Sequence, residues 1–246
     1  MMYASLAGIY DSLAYDFDYA AWCELYEELL KKNNGSIREI CDAGCGTGTL
    51  TVALSRKGYR MTGTDLSGDM LSVASDKAHL SGQRITFVKQ DMRQLLLPHK
   101  VDAVMCACDG VNYLTTPNGL KAFFSAVFSN LKAGGAFAFD ISNREKLLGM
   151  GKEKLYAEET DACAYLWQNE FEDDILKMYL SFYIRAADGR YDKTTETHSQ
   201  RAWKKCEILD ALNEAGFVNV ESIGDDEAEN PRLGGKRIFF SAAKPN

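Results

Sequence analysis

Apolar residues recur along this chain with two periods that alternate, helical and then extended. Tyr10, Leu13, Tyr15, Trp22, Leu25, Tyr26, Leu29 and Leu30 fall at helical spacing and predict a helical lead-in over residues 10–31. A short strand, Ile37 to Asp42, comes next, followed by a glycine loop and a helix from Thr49 to Lys57. Gly58 stands where a helix-terminating glycine belongs. Tyr59 to Asp65 alternates as a strand, and Ser67 is placed as the N-cap of a helix reaching Ala78, with Asp69 in its first turn. Ile85 to Lys89 predicts a strand, and Val101 to Cys106 one apolar enough to be buried on both faces. Asn118 to Leu131 is an amphipathic helix stopped by Lys132-Ala-Gly-Gly135, and Ala136 to Ile141 is again an apolar strand. Strand and helix alternating at this pace imply a parallel sheet covered by helices on both faces.

The rhythm changes near Gly151. Up to Trp203 the chain is rich in aromatic and β-branched residues with period-2 stretches, clearest at Tyr165–Phe171, Lys177–Arg185 and Tyr191–His198, with turns at Asp173-Asp174 and Asp188-Gly189. A helix from Lys205 to Ala215, closed by Gly216, and strands near Phe217–Ile223 and Arg237–Ala243 return to the first pattern, around a polar loop from Asp225 to Gly235. The expected fold class is α/β, a Rossmann-like, doubly wound, mostly parallel seven-stranded sheet with an antiparallel β insertion after strand five. Residues 1–150 and 204–246 would form one domain, and residues 151–203 an insertion serving as a lid or, through its edge strands, as a dimer contact.

Composition narrows the setting. A chain of 246 residues, 46% hydrophobic and 26% charged, suits one globular α/β domain with an insert. No run approaches the roughly 18 apolar residues of a membrane span, and the N-terminus lacks a basic segment followed by an apolar one. Seven cysteines, several in apparent strands, suit reduced thiols and a cytoplasmic location. No CxxC and no histidine-rich tract occur, so no metal site is expected. A net charge of −7 gives little attraction to phosphate backbones, which disfavours a nucleic-acid partner. A local basic face is suggested only by Arg201, Lys204, Lys205, Arg232, Lys236 and Arg237.

Candidate chemistry sits at the ends of successive strands. Gly44-x-Gly46-x-Gly48 lets backbone approach a ligand, but a dinucleotide fingerprint wants its third glycine at position 49, which is Thr49. Asp42 before the turn would repel a pyrophosphate and suits a cationic ligand. Asp65, ending the second strand, can accept both hydroxyls of a ribose. Asp91 after the third can accept from an adenine amino group while the Met92 amide donates to the ring, and Cys108-Asp109-Gly-Val-Asn-Tyr113 follows the fourth. Together they describe one crevice on the carboxyl edge of the sheet.

Asp-Ala-Gly-Cys-Gly-Thr-Gly, Gly63-Thr-Asp-Leu-Ser-Gly-Asp-Met-Leu71, Gln90-Asp-Met-Arg93 and Leu131-Lys-Ala-Gly-Gly135 resemble the motifs of class I S-adenosylmethionine-dependent methyltransferases over residues 35–142. Ile9-Tyr-Asp11, Asp18-Tyr19-x-x-Trp22, Trp167-Gln-Asn-Glu-Phe171, Glu196–Trp203 and Arg237–Ala243 are similar to bacterial small-molecule methyltransferases with a β-rich insertion after strand five, an architecture like that of the aminosugar N-methyltransferases. The resemblance implies the fold, S-adenosyl-L-methionine as cofactor and methyl transfer, not an acceptor; the expected acceptor is a nitrogen or oxygen of a small molecule. Carried over, it puts Ala43 and Gly44 at the methionine part, Asp65 with Leu66 and Met70 at the ribose side, and Asp91 and Met92 at the adenine. Cys108 and Asp109 would lie near the ammonium and sulfonium, with Tyr10, Tyr19 and Trp22 closing over the cofactor.

Of the three histidines, His79 and His99 lie in surface positions, whereas His198 lies in an insertion strand and has the chemistry of a general base; Tyr113 is a second candidate, lining the methyl path. Three rivals remain at this point: a nicotinamide-dependent oxidoreductase, a tRNA- or other macromolecule-directed methyltransferase, and a non-catalytic module that only binds the cofactor.

Overall fold

The computed structural model describes Ala7 and residues 18–33, 35–159, 163–186, 188–224 and 235–246. Tyr10, residues 8–17 of the lead-in, Arg232 and residues 225–234 of the polar loop lie outside the described residues. Helix α1 (Tyr19–Lys31) opens on Asp18, whose carboxylate accepts from the Ala21 amide. Its Trp22, Cys23, Tyr26, Leu29 and Leu30 are buried at helical spacing.

Five strands, β1 (Glu39–Ala43), β2 (Arg60–Asp65), β3 (Thr86–Lys89), β4 (Val101–Cys106) and β5 (Leu131–Ser142), run parallel. β11 (Arg237–Ala243) and β10 (Val218–Ile223) complete the sheet antiparallel, in the order β10-β11-β5-β4-β1-β2-β3. Winding reverses between β1 and β4, and in such sheets the crevice outside the carboxyl ends at that point is where ligands bind. α1 and α2 (Thr49–Arg56) cover one face through Trp22, Tyr26, Leu50 and Leu54 against Ile40, Met61, Met105 and Phe239. α4 (Pro117–Asn130) and α6 (Lys205–Glu214) cover the other through Phe123, Phe124, Val127, Ile208 and Leu212 against Val104, Phe137, Phe139 and Phe240. α3 (Gly68–Leu80) packs against α2, β2 and β3, and Ser67 caps it by accepting from the Met70 amide.

A second, antiparallel sheet has the order β6 (Leu155–Glu159), β7 (Cys163–Glu172), β8 (Ile175–Arg185), β9 (Tyr191–Arg201). Asp173 and Asp174 join β7 to β8 with φ of +50° and +62°, both left-handed, which matches the twist of a two-residue hairpin. Helix α5 (Arg144–Lys152), capped by Asn143, places Leu147 among Leu176, Met178, Leu180 and Phe182 of this sheet. The seven-stranded architecture and the insertion after β5 agree with expectation; α5 and β6 were not anticipated. Gly149 and Gly151 weaken the helical pattern of α5, and β6 is exposed along most of its length, so neither shows a clean apolar period. β5 also begins before its expected start: Leu131 pairs with Val101 and Ala136 with Ala103, so Lys132–Gly135 forms a register shift inside the strand.

Gly48 ends the first loop at φ +73° and caps α2, and a Cβ added there would stand 2.8 Å from the Ala74 Cβ. Gly48→Ala therefore combines a strained backbone with a clash against α3. We expect it to cost about 1–3 kcal/mol, read as a melting temperature several degrees lower; an unchanged melting temperature would contradict the close approach of α2 and α3.

Candidate active site

Loops leaving β1, β2, β3 and β4 enclose a cleft of about 660 Å³, a size suited to a nucleoside-sized ligand. The first loop is stitched to β2: the Gly44 and Cys45 amides donate to the Thr64 carbonyl at 2.7 and 2.9 Å. Gly44, Gly46 and Gly48 are all left-handed, at φ +77°, +54° and +73°. Gly46 lines the cleft with no atom within 4 Å of where a Cβ would stand, so the loop leaves room at its bend.

Four acidic residues line this space, Asp69 of α3 and three at or just beyond strand ends, Asp42, Asp65 and Asp91. Asp42 lines the cleft from the end of β1 although it is only 2% exposed. Its Oδ2 accepts from the Thr51 hydroxyl at 2.6 Å, while Oδ1 has no hydrogen-bond partner among the described residues. Burial pushes its carboxyl from the ordinary 3.8 to about 7. Asp65 accepts from the Ser67 amide at 2.8 Å through Oδ1 and from the Gly46 amide at 2.9 Å through Oδ2, and burial raises its carboxyl too. These two bonds tie the second strand's acid to both neighbouring loops. Asp91 is engaged by Arg93, whose Nε lies 3.0 and 2.9 Å from the two carboxylate oxygens, and this pairing holds Asp91 below the ordinary carboxylate range.

Of the residues expected here, Gly44, Asp65, Leu66, Met70, Asp91, Met92, Cys108 and Tyr113 line the cleft, and Tyr19 of α1 joins them. Ala43, Trp22, Asp109 and His198 are not in its wall. Ala43 is the buried last residue of β1. Trp22 packs in the core, its ring 5.2 Å from Phe239 and 6.1 Å from Tyr26, with the Arg237 guanidinium 5.1 Å above it. Tyr10 falls outside the described residues.

Asp109 belongs to a buried network beneath the cleft floor. Cys108 and Asp109 adopt left-handed backbone at φ +58° and +54°, and their amides donate to the Asp140 carboxylate at 2.7 and 3.0 Å. The Tyr26 hydroxyl donates to Asp140 at 2.6 Å. Arg237 bridges Asp140 at 2.5 Å and Asp109 at 2.7 Å, and Gln200 of β9 donates to Asp109 at 2.7 Å. Burial opposes every charge here. Asp109 and Asp140 nevertheless hold Arg237 protonated, and Arg237 in turn pulls Asp109 below its ordinary value. Asp140 and Arg237 were not singled out from the sequence as a pair, although a lone acid inside the apolar run Ala136–Ile141 is the signal that marks one of them.

His198 lies behind Tyr113. Its Nδ1 is 3.4 Å from the Tyr113 hydroxyl, and its Nε2 is 3.0 Å from the Glu196 carboxylate. Glu196, His198 and Gln200 alternate along β9 and are all buried.

Residues 40–135 match the methyltransferase domain family. The candidate methyltransferase YqeM of Bacillus subtilis (strain 168) is 33% identical over 99% of this chain and 98% of its own. A solved S-adenosylmethionine-dependent methyltransferase from Clostridium acetobutylicum superposes with a TM-score of 0.86 at 32% identity, over 99% of both chains. CalS10 of Micromonospora echinaspora, an amino pentose methyltransferase solved with S-adenosylmethionine bound, shares the fold at a TM-score of 0.70 and 20% identity, over 95% of this chain and 96% of that one. The chain is therefore a methyl-transferring enzyme that uses S-adenosyl-L-methionine. The chain belongs to the class I S-adenosylmethionine-dependent methyltransferases.

The cofactor's cationic charge fits what the structure leaves open: a buried carboxylate oxygen without a partner, at the cleft wall beside an unfilled glycine bend. This gives a pH prediction. The Asp42 carboxyl is raised in the folded state, so its contribution to stability is full below about pH 4 and is lost as pH rises to about 7. Between pH 5.5 and 8 the loss amounts to about 2 kcal/mol in the ligand-free protein. A ligand ammonium offsets it, so the thermal shift produced by S-adenosylhomocysteine should be larger at pH 8 than at pH 5.5. The difference should shrink in Asp42→Asn; an identical pH dependence in wild type and variant would refute this role.

Proposed function

We propose that this enzyme moves the methyl group of S-adenosyl-L-methionine to a nitrogen or oxygen of a small molecule. The observation that carries the reading is how the acceptor side of the cleft is built. The second sheet and the residues that leave it are tied to the turn after β4: Asn112 Nδ2 donates to the Arg201 carbonyl at 2.9 Å, the Trp203 indole to the Leu114 carbonyl at 3.1 Å, and Gln200 to Asp109. None of the described residues of 151–203 lines the cleft; the second sheet instead backs the turn after β4 and Tyr113, and in this reading it closes the acceptor space against a macromolecule. The basic side chains that suggested a local cationic face are largely engaged: Arg237 is buried in the network, Arg201 pairs with Glu207, and Lys236 with Glu145. An amino pentose is the acceptor named for the similarly folded CalS10, which makes amino sugars the first compounds to try.

In this reading Asp42 receives the cofactor ammonium, and the Ala43–Gly44 backbone lies along its methionine part with Cys108. Asp65 accepts from the ribose hydroxyls beside Leu66 and Met70, and Asp91 with the Met92 amide reads the adenine. Once bound, the cofactor supplies an electrophilic methyl carbon on a sulfonium. The protein's task is to align the acceptor lone pair with that carbon and keep water out, and such positioning is worth about 7–11 kcal/mol in well-oriented systems.

The test is transfer of radiolabelled methyl from S-adenosyl-L-methionine to a small-metabolite fraction, to a set of amino sugars and simple amines, and to bulk tRNA. Label in a small-molecule fraction is expected. Label entering tRNA alone would overturn the acceptor class, and no calorimetric binding of S-adenosyl-L-methionine would overturn the site.

A further inference from the structure

Within that reading, we infer that Tyr113, His198 and Glu196 form a proton relay, in which Tyr113 touches the acceptor, His198 stores the proton and Glu196 positions the imidazole. His198 does not line the cleft, so it is not the group that meets the acceptor; Tyr113 does line it. The order in space is cleft, phenol, imidazole, carboxylate. The Tyr113 hydroxyl is 3.4 Å from His198 Nδ1, the loose end of the hydrogen-bond range, as catalytic contacts commonly are before substrate arrives. His198 Nε2 is 3.0 Å from Glu196 Oε2, with side-chain exposures of 3% and 1%.

Two arguments separate this chain of groups from ordinary packing. The first is chemical. In the relay Glu196 accepts from the imidazole through Nε2–H, which leaves the Nδ1 lone pair facing the Tyr113 hydroxyl. That is the tautomer a base acting through Tyr113 requires, and the same logic by which a buried acid orients the histidine of a hydrolytic triad. The second argument is energetic. On β9 the strand partners of Glu196 and His198 are Leu180 and Met178, both buried with them. Apolar side chains at 196 and 198 would suit that surface without any desolvation cost, because a buried polar pair is weak evidence of stabilisation. The placement of a carboxylate and an imidazole there, in line with a cleft residue, points to use.

The step balances as follows. The acceptor lone pair forms a bond to the methyl carbon while the carbon–sulfur bond breaks, and that electron pair stays on sulfur. The acceptor nitrogen or oxygen then gives up its proton to the Tyr113 oxygen, as the tyrosine's own proton passes to His198 Nδ1. The resulting imidazolium remains hydrogen-bonded to Glu196 through Nε2–H until the proton returns to solvent with product release. The acceptor so defined carries a proton on its attacking atom, as an amine or a hydroxyl does, and excludes a tertiary amine.

The test has an arm that needs no acceptor. In protein labelled with 15N-histidine and bound to S-adenosylhomocysteine, the neutral His198 ring should show Nε2 protonated and Nδ1 free. The signal is assigned by its loss in His198→Asn. Glu196→Gln should mix the two tautomers, and Tyr113→Phe should move the Nδ1 resonance while keeping the Nε2–H form. A wild-type ring protonated on Nδ1 overturns the relay. In the activity arm, Tyr113→Phe should lower methyl transfer to the small-metabolite fraction by about 10²-fold or more, with calorimetric affinity for S-adenosyl-L-methionine unchanged. Full transfer by Tyr113→Phe overturns the relay while leaving the enzyme's class and acceptor class intact. A wild type that transfers nothing to small molecules bears instead on the proposed function, and the tautomer measurement still decides the relay.

Discussion

Asp140→Ala should destabilise the protein by about 3–5 kcal/mol, a large part of the 5–15 kcal/mol that separates folded from unfolded states in ordinary domains. Four donors converge on this one carboxylate: the Tyr26 hydroxyl, the Cys108 and Asp109 amides and the Arg237 guanidinium. Alanine leaves the part-buried Cys108 and Asp109 amides without this acceptor, the Tyr26 hydroxyl with the Cys106 carbonyl at 3.3 Å, and Arg237 with Asp109 as its remaining carboxylate contact in the network. It also frees the two left-handed residues that form the turn after β4, so the cleft floor loses its shape along with the core losing stability. The measurement is urea denaturation of the wild type, Asp140→Ala, and the double variant Asp140→Ala/Arg237→Met. The double variant should recover part of the loss, because the cation that the single variant strands is gone. A single variant within about 1 kcal/mol of wild type would mean that the network is not the anchor of the β4 turn.

Asp65→Ala should weaken S-adenosyl-L-methionine binding by about 10²- to 10³-fold, with the fold preserved by circular dichroism. Hydrogen bonds to a charged acceptor are worth about 1.5–3 kcal/mol each, and two ribose hydroxyls meet this carboxylate in the proposed complex. Within the protein, Asp65 already holds the Gly46 and Ser67 amides, so its loss also loosens the glycine bend and the start of α3. Calorimetry with S-adenosyl-L-methionine and S-adenosylhomocysteine should show the same proportional loss for both, since the ribose is common to them. Unchanged affinity would remove Asp65 from the cofactor site.

Much of the fold was legible because apolar period and turn chemistry agree locally. The five parallel strands, the N-cap at Ser67 and the Asp173-Asp174 hairpin each rest on residues close in the chain. The gathering of Gly44, Asp65, Asp91 and Met92 on one cleft was legible for the same reason: each ends a strand or follows one, so its position comes from that strand. What escaped depends on residues distant in sequence. Trp22 reads from its spacing as a cleft aromatic or as core, and only its contact with Phe239 and Arg237 places it in the core. Arg237 suggested a basic surface, yet it is buried because Asp109 and Asp140, far upstream, supply its counter-charge. Glu196 offered no local signal until β9 was seen to turn its 196, 198 and 200 positions inward.

The position of β11 also has a bearing on how the protein is born. The last strand of the fold lies inside the sheet, between β10 and β5, and brings Arg237 to the two acids beneath the cleft. A ribosome therefore makes every described residue that lines the cleft before it makes the cation that bridges the two acids behind it. Until that strand inserts, Asp109 and Asp140 lack the guanidinium that bridges them, and the chain is expected to hold S-adenosyl-L-methionine poorly. Competence for methyl transfer therefore waits on the insertion of this strand.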